Sequence, residues 1–159
     1  SLDFLPKAYT VFENVRLPHA RSTTGERELD LIVVGKSAVF VIEVKNHAGV
    51  ITADDIWARQ WQVTSPGGGN SALLRNPVAQ AYGQAKTLAS YLSEHGINTP
   101  VQPIVALSNP RSEFRFHGTL PMPIVINGPT LRSTIKSLDS SRQSGKRDRV
   151  IAAISESAR

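Results

Sequence analysis

A chain of 159 residues with 40% hydrophobic side chains and 11 glycines suits one domain with a buried core, which excludes wholesale disorder. The absence of cysteine and the four scattered histidines, none in an HExxH pattern, exclude disulfides and thiol catalysis and argue against a zinc site. Lysine and arginine exceed aspartate and glutamate by 18 to 13, and the longest apolar run, Ala38–Ile42, is far short of the ~20 residues of a membrane span.

Tyr9–Leu17 alternates in part and predicts an outer strand, and the polar stretch 18–27 predicts a loop. The strongest local signal follows, Glu28–Asn46 (ELDLIVVGKSAVFVIEVKN). Two β-branched runs, Leu29–Val34 and Ala38–Val44, flank a turn containing Gly35, Lys36 and Ser37, which describes a β-hairpin. Both faces of both runs are apolar, so the hairpin is expected to be central and covered on both sides. Val50–Gln62 carries Trp57 and Trp61, which we assign to the core rather than to base stacking, and Gly67–Gly69 predicts a flexible loop. Asn76-Pro77 opens a helix as N-cap and N1. It runs to about His95 and stops at Gly96, with Val78, Tyr82, Ala85, Leu88, Ala89 and Leu92 at helical spacing. Val101–Leu107 and Pro123–Asn127 predict strands, and Thr130–Leu138 and Lys146–Ser157 predict helices. The order β-β-β-α-β-β-α implies a mixed central sheet with helices on both faces, a three-layer α/β/α single domain over residues 1–159. Residues 139–148 are expected to be a basic, Ser-rich flexible segment.

The charge is unevenly spread. Residues 1–100 carry nine basic and nine acidic side chains, and 101–159 carry nine and four, so the whole excess lies in the last third. Arginines outnumber lysines 12 to 6, and guanidinium is the better bidentate phosphate partner. A pI near 9.9 is one footprint of nucleic-acid binding; a solvated basic tail around Arg142, Lys146, Arg147 and Arg149 is the plainer account.

Charge on a strand covered on both faces calls for a reason. Glu43 and Lys45 are two apart and share a face. If Lys36-Ser37 form the turn, Gly35 faces Ala38 and Asp30 faces Glu43, with Cβ atoms about 4.5–5.5 Å apart. Two carboxylates that close repel unless a cation lies between them or one is protonated. Hard oxygen ligands in that arrangement suit Mg²⁺ or Mn²⁺, and the Lys45 ammonium beside them could stabilise phosphate charge or position a water, which is what phosphodiester hydrolysis requires. The plain alternative is a Glu43–Lys45 ion pair with Asp30 turned to solvent, and Glu-x-Lys by itself does not decide between them. Gln80 and Gln84 share a face of the following helix, either as a polar flank or with Gln80 reaching the site. His47 follows close behind Lys45 and could touch substrate. No GxxxxGK[ST] loop is present, so no nucleoside triphosphate site is expected.

The stretches Glu28–Val34 and Val39–Asn46 resemble the PD-(D/E)XK nuclease superfamily and, within it, the nuclease-related domain (NERD) family. Asn14-Val15-Arg16-Leu17-Pro18, Gly49 and Asn76-Pro77-Val78-Ala79-Gln80 extend the resemblance over residues 5–107. It implies a restriction-endonuclease-like core that cuts DNA with Mg²⁺ or Mn²⁺ and little sequence specificity. Asp30 and Glu43 would be metal ligands with the Val44 carbonyl as a third, Lys45 the catalytic lysine and Gln80 the helix glutamine. Gln84, Lys45 and Arg75 would contact nucleic acid. Such domains often adjoin helicase, topoisomerase or kinase modules, and a double-strand break from one site per chain would favour a homodimer. Two departures stand out. Leu29 replaces the proline of the superfamily's name, and the glutamate of the family's N-terminal helix has no counterpart, since Ser1–Leu5 would be only that helix's end. Glu13 and Glu28 are near enough in sequence to substitute. Ser1 in place of Met suggests a fragment of a longer chain, which could bind metal weakly or be inactive as it stands if the missing segment carried that glutamate; with no cysteine and no signal peptide, a cytoplasmic domain is the default. The competing function is a catalytically silent nuclease-fold module that binds nucleic acid or supports a fused partner domain. A plain α/β scaffold would leave the charged hairpin end unexplained.

Overall fold

In the computed structural model, which describes residues 8–139 and 145–157, the two apolar runs pair antiparallel as β2 (Glu26–Val34) and β3 (Val39–Lys45). Leu31 faces Ile42 and Val34 faces Val39, the register of a Lys36-Ser37 turn, and the Gly35 N–H closes it on the Ala38 carbonyl at 2.9 Å. The turn is held from outside. Asp139 accepts the N–H groups of Lys36, Ser37 and Ala38 at 2.9, 2.9 and 3.0 Å and the Ser37 hydroxyl at 3.0 Å. Burial by itself would raise the Asp139 pKa, but these donors reverse that and hold it below its ordinary value. Tyr9, beside it, is pushed up to about 12 by burial and the Asp139 charge.

β1 (Thr10–Pro18) lies antiparallel outside β2. It extends, with β2, into the stretch expected as a loop, so that only a short turn at 19–25 remains. On the other side of β3 come β7 (Val101–Leu107) and β9 (Ile124–Val125), both parallel, giving a mixed five-stranded sheet of order β1-β2-β3-β7-β9. Pro103 is tolerated within β7 because β9 pairs only with Val105 and Ala106, leaving no neighbour that needs its missing N–H.

Helix α1 (Pro77–Glu94) starts and ends as its sequence dictates. The Asn76 side chain accepts from Val78 and Ala79 N–H, and Gly96 follows the last turn at φ 74°. Its Leu88, Tyr91 and Leu92 pack with Val150, Ala153 and Ile154 of α3 (Arg147–Ser157) over Leu29, Ile32, Val39 and Val41 of the sheet. On the opposite face, Leu131 and Ile135 of α2 (Gly128–Leu138) cover Val33, Phe40, Ile42 and Ile104. The expected three-layer α/β/α arrangement is present.

A second sheet was not anticipated. β4 (Gly49–Thr52), β5 (Gln60–Thr64) and β6 (Ser71–Arg75) form an antiparallel meander, with β8 (Ser112–Arg115) parallel to β4. Gly67 and Gly68, at φ 87° and 78°, make the β5–β6 turn. Ile51, Trp61, Val63 and Leu74 pack on Val78 and Ala81 of α1 and on Val105 and Leu107 of β7. Trp61 is in the core as expected and stacks on Phe114 at 5.4 Å. Trp57 is not: it is 49% exposed, because 53–59 is a turn outside β5 rather than part of a strand.

Of the stretch expected to be flexible, 140–144 lies outside the described residues, while Asp139 is buried and α3 begins at Arg147. The expected helix end at 1–5 also lies outside them. No helix among the described residues is long and apolar enough to cross a membrane.

Candidate active site

The site forms where the hairpin opens. Pairing of β2 with β3 ends at Leu31 and Ile42, so Asp30 and Glu43 occupy the next positions, past the last ladder pair. On its other side the β1–β2 ladder skips Asn14 and Asp30. Asn14 has a φ of 53°, the only positive value at a non-glycine residue among those described, a conformation asparagine tolerates better than most. Leu29 and Ile32 face the same core cluster, so the strand's alternation slips between them, at Asp30. The backbone departure thus sits beside the carboxylate, where strain often accompanies function.

Glu43 is 4% exposed. One carboxylate oxygen, Oε1, is 3.2 Å from Lys45 Nζ, and the other, Oε2, accepts a hydrogen bond from Gln84 Nε2. Burial, then the negative charge of Asp30, raises the Glu43 pKa, opposed by Gln84 and Lys45. The Val44 carbonyl follows from strand alternation. Lys45 O accepts from Ser108 N–H at 2.9 Å on the β7 side, so Val44 O points to the other edge of β3, from which β2 has departed.

Helix α1 supplies both glutamines, in reversed order of proximity to expectation. Gln84 touches Glu43, while Gln80 lines the adjacent groove. The Oε1 atoms of both are buried without a hydrogen-bond partner, an arrangement that costs free energy unless something else donates to them. Arg75, at the end of β6, lines the same groove of about 900 Å³ with Arg27, Glu28, Arg59, Gln80 and Gln84. Glu28 is therefore on the site side, whereas Glu13 lines a separate hollow beside Tyr91 and Ser157. His47 is exposed beyond β3.

The donor set can be tested against a metal ion by its chemistry. Among the described residues no three His, Cys, Asp or Glu side chains cluster, so a zinc cage is not built here. Two carboxylates, a backbone carbonyl and two unpartnered amide oxygens are hard donors. They fit an Mg²⁺-like ion that keeps several waters.

A family model for the nuclease-related domain matches residues 1–108. The chain belongs to that family. The match ends just after β7, so every element of the candidate site in this NERD chain lies inside it. No match was found among curated proteins or among solved structures.

Sequence reasoning missed Arg27 and Arg59. Arg27 Nη1 donates to Thr87 Oγ1 at 3.2 Å, and its guanidinium lies where a Cβ on Gly83 would be, 2.5 Å away. A glycine in mid-helix costs about 0.5–1 kcal/mol relative to alanine. Gly83 was therefore the available signal that another group lies against α1 there.

Proposed function

We propose that this NERD domain hydrolyses phosphodiester bonds of DNA with the help of Mg²⁺ or Mn²⁺. The reading is supported above all by one observation, a buried Glu43 tied to Lys45 and Gln84 and set against Asp30 at the open end of the hairpin. Asp30, Glu43 and the Val44 carbonyl would hold the ion. When bound, it supplies Lewis acidity and a water of lowered pKa. The protein's own contribution is positioning. Gln84 fixes the Glu43 carboxylate, and Lys45 keeps a positive charge at the site that can stabilise charge developing on the phosphate. The free Gln80 Oε1 can accept a hydrogen bond from a water, and Arg75, Arg59 and Arg27 offer the groove a phosphate-binding wall. No base-reading element is present among the described residues, so cleavage with little sequence preference is expected.

The direct Lys45–Glu43 ion pair favours a second reading, a catalytically silent nuclease-fold module that binds nucleic acid or supports a partner domain. Plasmid DNA incubated with the protein and Mg²⁺ or Mn²⁺, beside an EDTA control, separates the two. Nicking or linearisation that EDTA stops, and that Glu43→Ala and Lys45→Ala each reduce about 10²–10³-fold, supports the nuclease. No cleavage by the folded protein, even with Mn²⁺, counts against the nuclease reading for this chain, and DNA binding without cleavage assigns the silent module.

A further inference from the structure

Two large aromatic side chains stand outside the core beside the proposed nuclease groove. Trp57 is 49% exposed and Tyr82 48%, and their rings meet edge to face at 5.8 Å and 79°. Lys86 Nζ lies 5.4 Å from the centre of the Tyr82 ring, a cation held at an aromatic face. The pair is rigidly mounted. Tyr82 belongs to α1, and the 53–59 turn carrying Trp57 is fastened to the start of that helix. The buried Asn76 side chain donates to the Ile56 and Ala58 carbonyls at 2.8 and 2.7 Å, and Trp57 N–H is fixed by Asp55 Oδ1 at 3.0 Å. The Oδ1 of the same side chain caps α1 by accepting from Val78 and Ala79 N–H, so the helix and the turn cannot drift apart without breaking one set of bonds or the other.

Tyr82 connects the pair to the site. The groove beside Gln80 and Gln84 shares Arg27 and Arg75 with a neighbouring hollow lined by Tyr82, Gly83 and Lys86. Cations predominate over both: Arg27, Arg59 and Arg75 against Glu28 in the first, and Arg21, Arg27, Arg75 and Lys86 against Glu26 and Glu94 in the second. Gln84, at the inner end, is bonded to Glu43.

We infer that Trp57 and Tyr82 form a stacking platform for an unpaired base, and that the arginine-lined groove leads that strand's phosphates to Glu43 and Lys45. The inference rests on the nuclease reading and deepens it to a substrate class, DNA with a single-stranded segment. Bases inside a duplex already stack on one another and offer no free face, whereas an unpaired base gains both a stacking surface and, through the arginines, charge neutralisation. A groove made only for duplex backbone needs the cations but not two exposed rings.

Intrinsic fluorescence tests this without requiring cleavage, because Trp57 is exposed and the only other tryptophan, Trp61, is buried at 1%. The protein in EDTA is titrated with short oligo(dT) and, separately, with a blunt duplex of the same length. Oligo(dT) is expected to quench the Trp57 emission and to bind at least tenfold more tightly than the duplex. Trp57→Ala is expected to weaken oligo(dT) binding about 5- to 150-fold, followed by anisotropy of a labelled oligonucleotide, with Trp57→Phe recovering most of the loss and duplex binding unchanged. Equal affinity for both DNAs, unmoved by Trp57→Ala but weakened by Arg75→Ala, would leave a duplex-backbone groove and overturn the platform while the nuclease reading stands. Absence of binding to either DNA also overturns it, and metal-dependent plasmid cleavage then decides the nuclease reading separately.

Discussion

The two ends of the central hairpin each carry a buried carboxylate, and the protein treats them in opposite ways. At the turn, Asp139 reaches in from the end of α2 and meets three backbone N–H groups and a hydroxyl, so its ionised form is favoured. At the open end, Glu43 is more deeply buried and faces another carboxylate, and its ionised form is disfavoured. Both have polar partners; only one has enough of them. Asp139 is a finished structural contact, whereas the Glu43 end leaves amide oxygens unpartnered. Deep burial of charge says little about role until the donors around it are counted.

Substitutions should separate the ends sharply. Asp139→Ala strips the acceptor from the Lys36, Ser37 and Ala38 amides and should cost about 2–4 kcal/mol in urea unfolding at neutral pH. Because the folded-state pKa of Asp139 lies below its ordinary value of 3.8, its contribution is full above that value and is lost as pH falls through the folded one. The gap between wild type and variant should therefore close in acid; a gap constant from neutral pH to pH 2 would mean that Asp139 acts by packing alone.

Glycines near the two ends should respond with opposite signs. A Cβ on Gly35 would meet the Asp139 carboxylate at 2.6–2.8 Å, and that carboxylate is pinned by its donors, so Gly35→Ala should destabilise by about 1–3 kcal/mol. A Cβ on Gly83 meets only the far end of Arg27, which can swing away. Gly83→Ala should leave thermal stability unchanged or raise it by up to about 1 kcal/mol, while weakening nucleic-acid binding by displacing a groove arginine. Equal losses of stability at both positions would show that the Arg27–Thr87 contact is structural.

The smallest effect expected is at Glu43 itself. With its folded pKa above the ordinary 4.5, ionised Glu43 carries a penalty that is absent below that pH and develops as pH rises through the folded value. In EDTA at neutral pH, Glu43→Gln should thus be as stable as wild type or up to about 1 kcal/mol more so. A variant clearly less stable, at every pH, would make the Glu43–Lys45 pair a structural contact like Asp139.

How much of this was legible in the chain depends on the range of the interaction. The hairpin, its register and the ends of α1 could be read because turn chemistry, alternation and capping act between residues a few positions apart. The register also put Asp30 and Glu43 next to each other in line, although the ladder itself stops one position short, at Leu31 and Ile42. The second sheet was not read, since β4, β5 and β6 are short and β8 joins β4 from sixty residues away. Sequence pointed to Gln80 rather than Gln84, which share a helix face; the packing of α1 on the sheet puts Gln84 on Glu43.

The sequence by itself determined the hairpin register and a covered strand that ends in Glu43 and Lys45, because period-two patterning and a two-residue turn leave little freedom. Tertiary structure alone decided that Asp139 would lock the far turn, that Arg27 would lie across Gly83, and that of two tryptophans four residues apart one would enter the core and the other stay exposed against Tyr82. Those outcomes depend on how separate elements pack, and packing joins residues whose separation along the chain carries no periodic signal.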